Sequence, residues 1–133
     1  MTEGRAYFDS SALVKLVVRE PESAALRRWA RSADGFATCA LARTELIRAV
    51  APSGPSAIAR ARALLRRIDL IALDDVLLDA AAGIGPRTLR TLDAIHLAAA
   101  IALGDDLTAV VTYDRRMATG AEALGLPVVS PAR

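Results

Sequence analysis

The sequence predicts a small three-layer α/β domain with a mostly parallel central sheet of about five strands. Short apolar runs alternate with longer stretches of helical periodicity along all 133 residues. Strands that alternate with helices need right-handed crossovers, which make neighbouring strands parallel. The apolar runs also lack strict in–out alternation, as strands covered on both faces do. The length suits one domain, and a chain of this size buries roughly 65–70% of its unfolded surface, so it needs no covalent staples.

Ala6 to Phe8 reads as the first strand, ending at Asp9. Ser10 to Arg19 follows as a helix, with Leu13, Leu16 and Val17 at helical spacing. Pro21 closes it and opens a second helix, Glu22 to Ser32, whose apolar stripe is Leu26 and Trp29. Gly35 to Cys39 is a short strand and Ala40 to Val50 a helix, stopped by Pro52, Ser53, Gly54 and Pro55. Ser56 to Arg67 is a basic helix, and Leu70 to Leu73 a third strand. Asp74 and Asp75 cap a helix running to about Ala82, because acidic side chains satisfy free amides there. After the Gly83–Pro86 loop, Thr91 to Leu103 is a helix with Thr91 as its expected N-cap. Thr108 to Thr112 is the most β-like run; a helix from Asp114 to about Leu124 and a last strand, Leu126 to Val129, complete the order.

Composition excludes several classes. A single cysteine, Cys39, allows neither an internal disulfide nor a cysteine-built zinc site. The longest apolar run, Leu97 to Leu103, is too short for a membrane span. No basic stretch precedes a long apolar core near Met1, so a cytoplasmic protein is expected. Seventeen basic residues oppose fifteen acidic ones for a net charge of +2. All the basic residues except Lys15 are arginine. Arginine suits bidentate phosphate recognition, but a GC-rich genome also supplies it, and the abundant alanine points the same way.

Four acids stand out. Asp9 and Asp114 each follow a strand, which places both at the same edge of the sheet. Each also has an ordinary reading as the N-cap of the next helix. Glu45 lies within a helix, where a solvated face would explain it. Asp93 sits in the first turn of an almost wholly apolar helix, where a carboxylate is costly unless it is paired or bound to a cation. Two carboxylates about 4 Å apart repel by roughly 4 kcal/mol at an effective dielectric of 20. Four at one rim therefore call for protonation or a cation, and an all-oxygen site suits Mg²⁺ or Mn²⁺ and phosphate chemistry.

The segments Tyr7–Leu16, Arg43–Leu46, Leu92–Ala98 and Thr112–Met117 resemble the successive motifs of PIN-domain ribonucleases, in particular the VapC-type toxins of type II toxin–antitoxin modules. The likeness extends to the closing Ala123–Val128. It implies a three-layer α/β/α PIN-like domain over residues 1–133, a Mg²⁺ or Mn²⁺ cofactor, and RNA cleavage that leaves a 5′-phosphate and a 3′-hydroxyl. By position Asp9, Glu45, Asp93 and Asp114 match the acidic quartet. Asp9, Asp93 and Asp114 would hold the metal, and Glu45 would orient or deprotonate the attacking water or help hold a second ion. Ser10 matches a small polar position and Thr112 a hydroxyl supporting the last aspartate. The likeness also implies a cognate VapB-type antitoxin and a homodimer, for which the apolar stripes Leu13–Val18 and Leu26–Trp29 are candidate surfaces.

Arg43, Arg115 and Arg116 lie near these acids and are the candidate RNA contacts, with ordinary solvated charges as the competing reading. The same two readings apply to Arg87 and Arg90. Arg60, Arg62, Arg66 and Arg67 read as a solvated or dimer-flanking face. His96, one turn from Asp93, reads as a core or edge residue with a satisfied hydrogen bond. The alternative function is a catalytically silent module that scaffolds an antitoxin on operator DNA. A phosphotransfer receiver needs an acidic pair after the first strand and a lysine after the last, and a haloacid-dehalogenase-type phosphatase needs Asp-x-Asp; Asp9-Ser10-Ser11 supplies neither.

Overall fold

A computed structural model describes residues 4–132. Its elements run β1 (Arg5–Phe8), α1 (Ser10–Val17), α2 (Ser23–Arg31), β2 (Phe36–Cys39), α3 (Ala42–Val50), α4 (Pro55–Leu65), β3 (Asp69–Ile71), α5 (Asp75–Ala82), α6 (Thr91–Ala102), β4 (Leu107–Val111), α7 (Arg115–Ala123) and β5 (Val128–Val129). The five strands form one sheet in the order β3-β2-β1-β4-β5, and all four pairings are parallel. The chain winds outward from β1 through β2 to β3, then crosses back to lay β4 on the other side of β1. The reversal opens a crevice beyond the carboxyl ends of β1 and β4, where doubly wound sheets bind ligands.

Helices cover both faces. On one, Leu13 and Val17 of α1, Leu26 of α2, Leu46 and Val50 of α3 and Ala57, Ala61 and Leu65 of α4 pack around Phe8. On the other, Leu77 and Ala81 of α5, Leu97 to Ala100 of α6 and Met117 and Ala121 of α7 pack around Tyr7 and Val110. Gly120 lets α7 close on its neighbours, since a Cβ there would come within 2.9 Å of a Leu89 methyl and 3.1 Å of a Leu97 methyl. Gly54, with φ +99°, turns the chain into α4, and Pro55 opens that helix where its missing amide hydrogen costs nothing.

Local boundaries differ from the expected ones mainly at element ends. Asp74 caps α5 as expected, accepting from the Leu77 amide at 2.9 Å. Thr91 is not a cap: α6 begins at Thr91 itself, and Arg90 occupies the cap position without a side-chain cap bond. The stripes on α1 and α2 are not free surfaces either. Leu13 and Leu26 are fully buried and Val17 nearly so, because α3 and α4 fold over them. The large apolar side chains left exposed lie elsewhere, with Val76 and Leu78 on α5 and Leu92 and Ile101 on α6.

Candidate active site

β1 delivers Asp9 into the crevice. Its backbone sits between strand and helix, and its side chain caps α1 by accepting from the Ala12 amide at 3.1 Å. The same oxygen, Oδ1, accepts from the Ser11 hydroxyl at 2.6 Å, and Oδ2 accepts from the Thr112 hydroxyl at 2.5 Å. Burial pushes the Asp9 carboxyl above its ordinary range, although Ser11, Thr112 and the Ala12 amide pull the other way.

β4 delivers Thr112 and Asp114. The Thr112 hydroxyl donates to the first aspartate, and the last aspartate touches it only through the Asp114 amide, which donates to Thr112 Oγ1 at 3.1 Å. Thr112 thus supports both ends of the crevice, whereas the sequence pointed to Asp114 alone. Asp114 divides its two oxygens. Oδ1 caps α7 through the Arg116 and Met117 amides at 2.8 and 3.3 Å, and Oδ2 accepts from Arg90 Nη2 at 3.3 Å.

α6 contributes Asp93 and His96, one turn apart. Asp93 Oδ2 is buried and receives no hydrogen bond. Arg90 Nε lies 3.5 Å from it, so one guanidinium bridges Asp93 and Asp114. His96 is buried and uses both ring nitrogens, Nε2 to Glu45 Oε1 and Nδ1 to the Tyr7 hydroxyl, each at 2.7 Å. Cys39 Sγ lies 3.7 Å from Nδ1. Burial opposes a charge on His96, but contact with Cys39 and Glu45 more than offsets it and carries the imidazole up to about 10. His96 is therefore an imidazolium at neutral pH, and its Nε2 donates to Glu45.

α3 contributes Glu45. Burial raises its carboxyl, but the bonds from His96 and from Ser10 at 2.7 Å outweigh burial and hold it below the ordinary value. Both bonds end on Oε1.

Taken in order, contacts and short steps along the chain close a ring. Asp9 meets Thr112, which meets Asp114; Arg90 links Asp114 to Asp93; one helical turn leads to His96, which meets Glu45; Ser10 bonds Glu45 and is the chain neighbour of Asp9. The links bring the four acids, with Ser10 and Thr112, into one neighbourhood beyond the carboxyl ends of β1 and β4. Among the described residues no three Asp, Glu, His or Cys side chains close on a single point as a preformed metal cage would. Asp9 and Glu45 are instead held by donors of their own, while Asp93 and Asp114 share Arg90. The donor set nevertheless fits a hard divalent ion. It is all oxygen, it includes a buried carboxylate oxygen without a hydrogen bond, and it already holds a cationic side chain between two of its acids.

The candidate RNA contacts lie outside the ring. Arg115 and Arg116 border a hollow of about 220 Å³ with Leu89 and Gly120, and Arg43 borders a separate cavity on the far side of α3. Sequence reading missed Ser11 as the partner of Asp9, Arg90 as the bridge, and Tyr7 and Cys39 as the partners of His96. Only Arg90 carried a usable signal, its i,i+3 spacing to Asp93 on a helical turn.

The PIN domain family model matches residues 6–123. The chain is 51% identical over 125 residues to Ribonuclease VapC46 of Mycobacterium tuberculosis (strain ATCC 25618 / H37Rv), covering 94% of this chain and 96% of that protein. It is 48% identical over 130 residues to Ribonuclease VapC47 of the CDC 1551 / Oshkosh strain, with the same coverage. Among solved structures, Mycobacterium tuberculosis VapC20, described as a Sarcin-Ricin loop cleaving toxin, superimposes with a TM-score of 0.76. That match covers 95% of this chain and 99% of VapC20 at 18% identity, a likeness of fold. The acid-bordered crevice at the switch point, the matched family model and the near full-length relatives agree that this chain belongs to the PIN-domain family and is a nuclease of its VapC-type group.

Proposed function

We propose that the chain is a Mg²⁺- or Mn²⁺-dependent endoribonuclease toxin that hydrolyses RNA phosphodiester bonds and is neutralised by a cognate VapB-type antitoxin. It works in the cytoplasm, as a single PIN domain over residues 1–133. The observation that supports this reading is the ring of contacts and chain steps that joins Asp9, Thr112, Asp114, Arg90, Asp93, His96, Glu45 and Ser10.

Asp9, Asp93 and Asp114 would hold the ion. Asp9 enters with its rotamer already locked by Ser11, Thr112 and the start of α1. Asp93 offers its buried Oδ2, and Asp114 offers the oxygen that Arg90 now occupies. When bound, a divalent ion supplies Lewis acidity toward water and toward a phosphate oxygen. Glu45 orients the attacking water. Ser10 and His96 fix its Oε1, which leaves Oε2 to accept from the water, and its depressed pKa keeps it ionised. Attack in line forms a bond from the water oxygen to phosphorus and breaks the bond from phosphorus to O3′. The products are a 5′-phosphate and a 3′-hydroxyl that takes up a proton. Arg115 and Arg116, which follow Asp114 at the start of α7, would contact an RNA phosphate.

The homodimer belongs to the same proposal, but on a different surface from the one expected. Val76 and Leu78 on α5 and Leu92 and Ile101 on α6 are exposed apolar residues available for it, as is Leu124 after α7. Sedimentation that shows a strict monomer, alone and with antitoxin, would remove the dimer.

The test is cleavage of labelled RNA with Mg²⁺, with Mn²⁺ and with chelator, by wild type and by Asp93→Asn. Metal-dependent cleavage with 5′-phosphate ends, lost in Asp93→Asn, is expected. Cleavage that survives chelation, or full activity in Asp93→Asn, refutes the reading. Absence of turnover in wild type supports the silent scaffold instead.

A further inference from the structure

We propose that the cavity between α3 and α4 is a second RNA-binding site, which holds the phosphodiester backbone of single-stranded RNA beyond the cleavage crevice. The proposal rests on the ribonuclease reading and adds a place and a chemistry to it. The cavity measures about 810 Å³, within the range of small-ligand sites, roughly 300–1,000 Å³. Arg43 and Arg48 of α3 and Arg62 and Arg66 at the end of α4 line it, with Ile47 and Leu65 as an apolar floor. The spacing explains the convergence. Arg62 and Arg66 are four residues apart and share one face of α4, while Arg43 and Ile47 do the same on α3.

These arginines differ from the ion-paired cations of the fold, and they are the unpaired ones that gather around one cavity. Arg5 bonds Asp69 and Asp106, Lys15 bonds Glu20 and Glu22, and Arg90 bonds Asp93 and Asp114. Among the described residues no salt bridge joins a carboxylate to Arg43, Arg48, Arg62 or Arg66, and all four are exposed. Four like charges around one cavity repel each other, and an anion relieves that repulsion. Guanidinium planes match phosphodiester oxygens in pairs and also stack unpaired bases.

The position favours RNA over another anion. α3 forms the wall shared by cavity and crevice, with Glu45 directed to Ser10 and His96 on one side and Arg43 and Arg48 directed to the cavity on the other. A strand engaged at the crevice that crosses α3 meets the arginines next. A long substrate would be gripped at both places and a short one only at the crevice.

The experiment compares wild type with Arg62→Gln/Arg66→Gln on two single-stranded RNAs: a minimal oligonucleotide spanning the cleavage site, and a long one extending well past it. With the long RNA, KM rises about tenfold or more in the double variant. The slope of log affinity against log salt becomes shallower by about 1.4, two contacts at roughly 0.7 each for a single strand. With the minimal RNA, kcat and KM stay unchanged, and the melting temperature does not move. An unchanged KM and salt slope on long RNA overturns the proposal while leaving the nuclease reading intact. So does a double variant that binds RNA normally but no longer binds the antitoxin, which would assign the cavity to an acidic protein. Failure of wild type to cleave either RNA strikes the nuclease reading itself.

Discussion

Glu45 on α3 and Asp93 on α6 are held in opposite ways. Glu45 is fixed by two bonds of 2.7 Å, from Ser10 and from a buried histidine that is itself anchored to Tyr7. Asp93 has a buried oxygen without a hydrogen bond, and its nearest cation is the exposed guanidinium of Arg90 at 3.5 Å. A group meant to orient one water gains from rigidity, since a misplacement of about 1 Å can cost a hundredfold in rate. A group meant to receive an exchangeable ion gains from a partner that leaves easily. The Glu45 side of the rim is built and the Asp93 side is left open.

The largest effect is expected where chemistry depends on the open side. Asp93→Asn should lower RNA cleavage by about 10³-fold or more, comparable to removing one essential group from other active sites. The fold should survive, because the change removes a like charge from the rim. Circular dichroism and a melting curve measured beside the cleavage assay separate the two effects. Full activity would show that the open side is not the metal side.

The built side should dominate stability. His96→Ala strands the Glu45 charge and leaves the buried Tyr7 hydroxyl without its partner. The loss should be about 1–3 kcal/mol by chemical denaturation, below the scale for a fully buried ion pair because Glu45 is partly exposed and keeps Ser10. The same bond shapes the pH profile. Folding raises His96 from its ordinary 6.5 to about 10, so its contribution is complete below about pH 6.5 and is lost as pH rises toward 10. The alkaline limb should fall by at most about 1.4 kcal/mol per pH unit, less where the Cys39 thiol, lowered beside His96, titrates with the opposite sign, and it should flatten in His96→Gln. Folding lowers Glu45, so its contribution holds above its ordinary 4.5 and fades as pH falls through the folded value. Asp9 is raised and therefore carries the opposite sign, which makes the acid limb shallower than the alkaline one.

Metal should act through the open side. At one hundred times its dissociation constant, an ion that binds only the folded chain adds about 2.7 kcal/mol. Mg²⁺ or Mn²⁺ should therefore raise the melting temperature of wild type and not of Asp93→Asn. An equal shift in both proteins would place the ion elsewhere.

The built side was also the harder one to see in the sequence. Asp93 announced itself as a lone charge on an apolar helix, and Asp9 and Asp114 as acids at strand ends, because burial and strand order leave marks on one-dimensional spacing. The partnership of His96 with Glu45 and Tyr7 spans 51 and 89 residues and exists only once α3, α6 and β1 have packed. Helical periodicity identified the apolar stripes of α1 and α2 but not what covers them, so faces buried by α3 and α4 looked like docking surfaces. Ser10 and Ser11 are chemically identical neighbours. Only the entry angle of α1 sends one to Glu45 and the other to Asp9.

The smallest effect, and the sharpest test of the contrast, belongs to Arg90. Its two ion pairs look substantial on a contact map, yet its side chain is 58% exposed, and exposed pairs contribute about 0–1 kcal/mol. Arg90→Gln should therefore change stability by less than about 0.5 kcal/mol without metal. It also removes the positive charge that a divalent ion must displace or approach. A divalent ion about 7 Å from a unit charge in water is repelled by roughly 1.2 kcal/mol, so Mn²⁺ affinity by titration calorimetry should tighten roughly sevenfold. If Arg90→Gln instead destabilised the chain as much as His96→Ala, the guanidinium would be a structural member of the rim. The open side would then be as firmly built as the other.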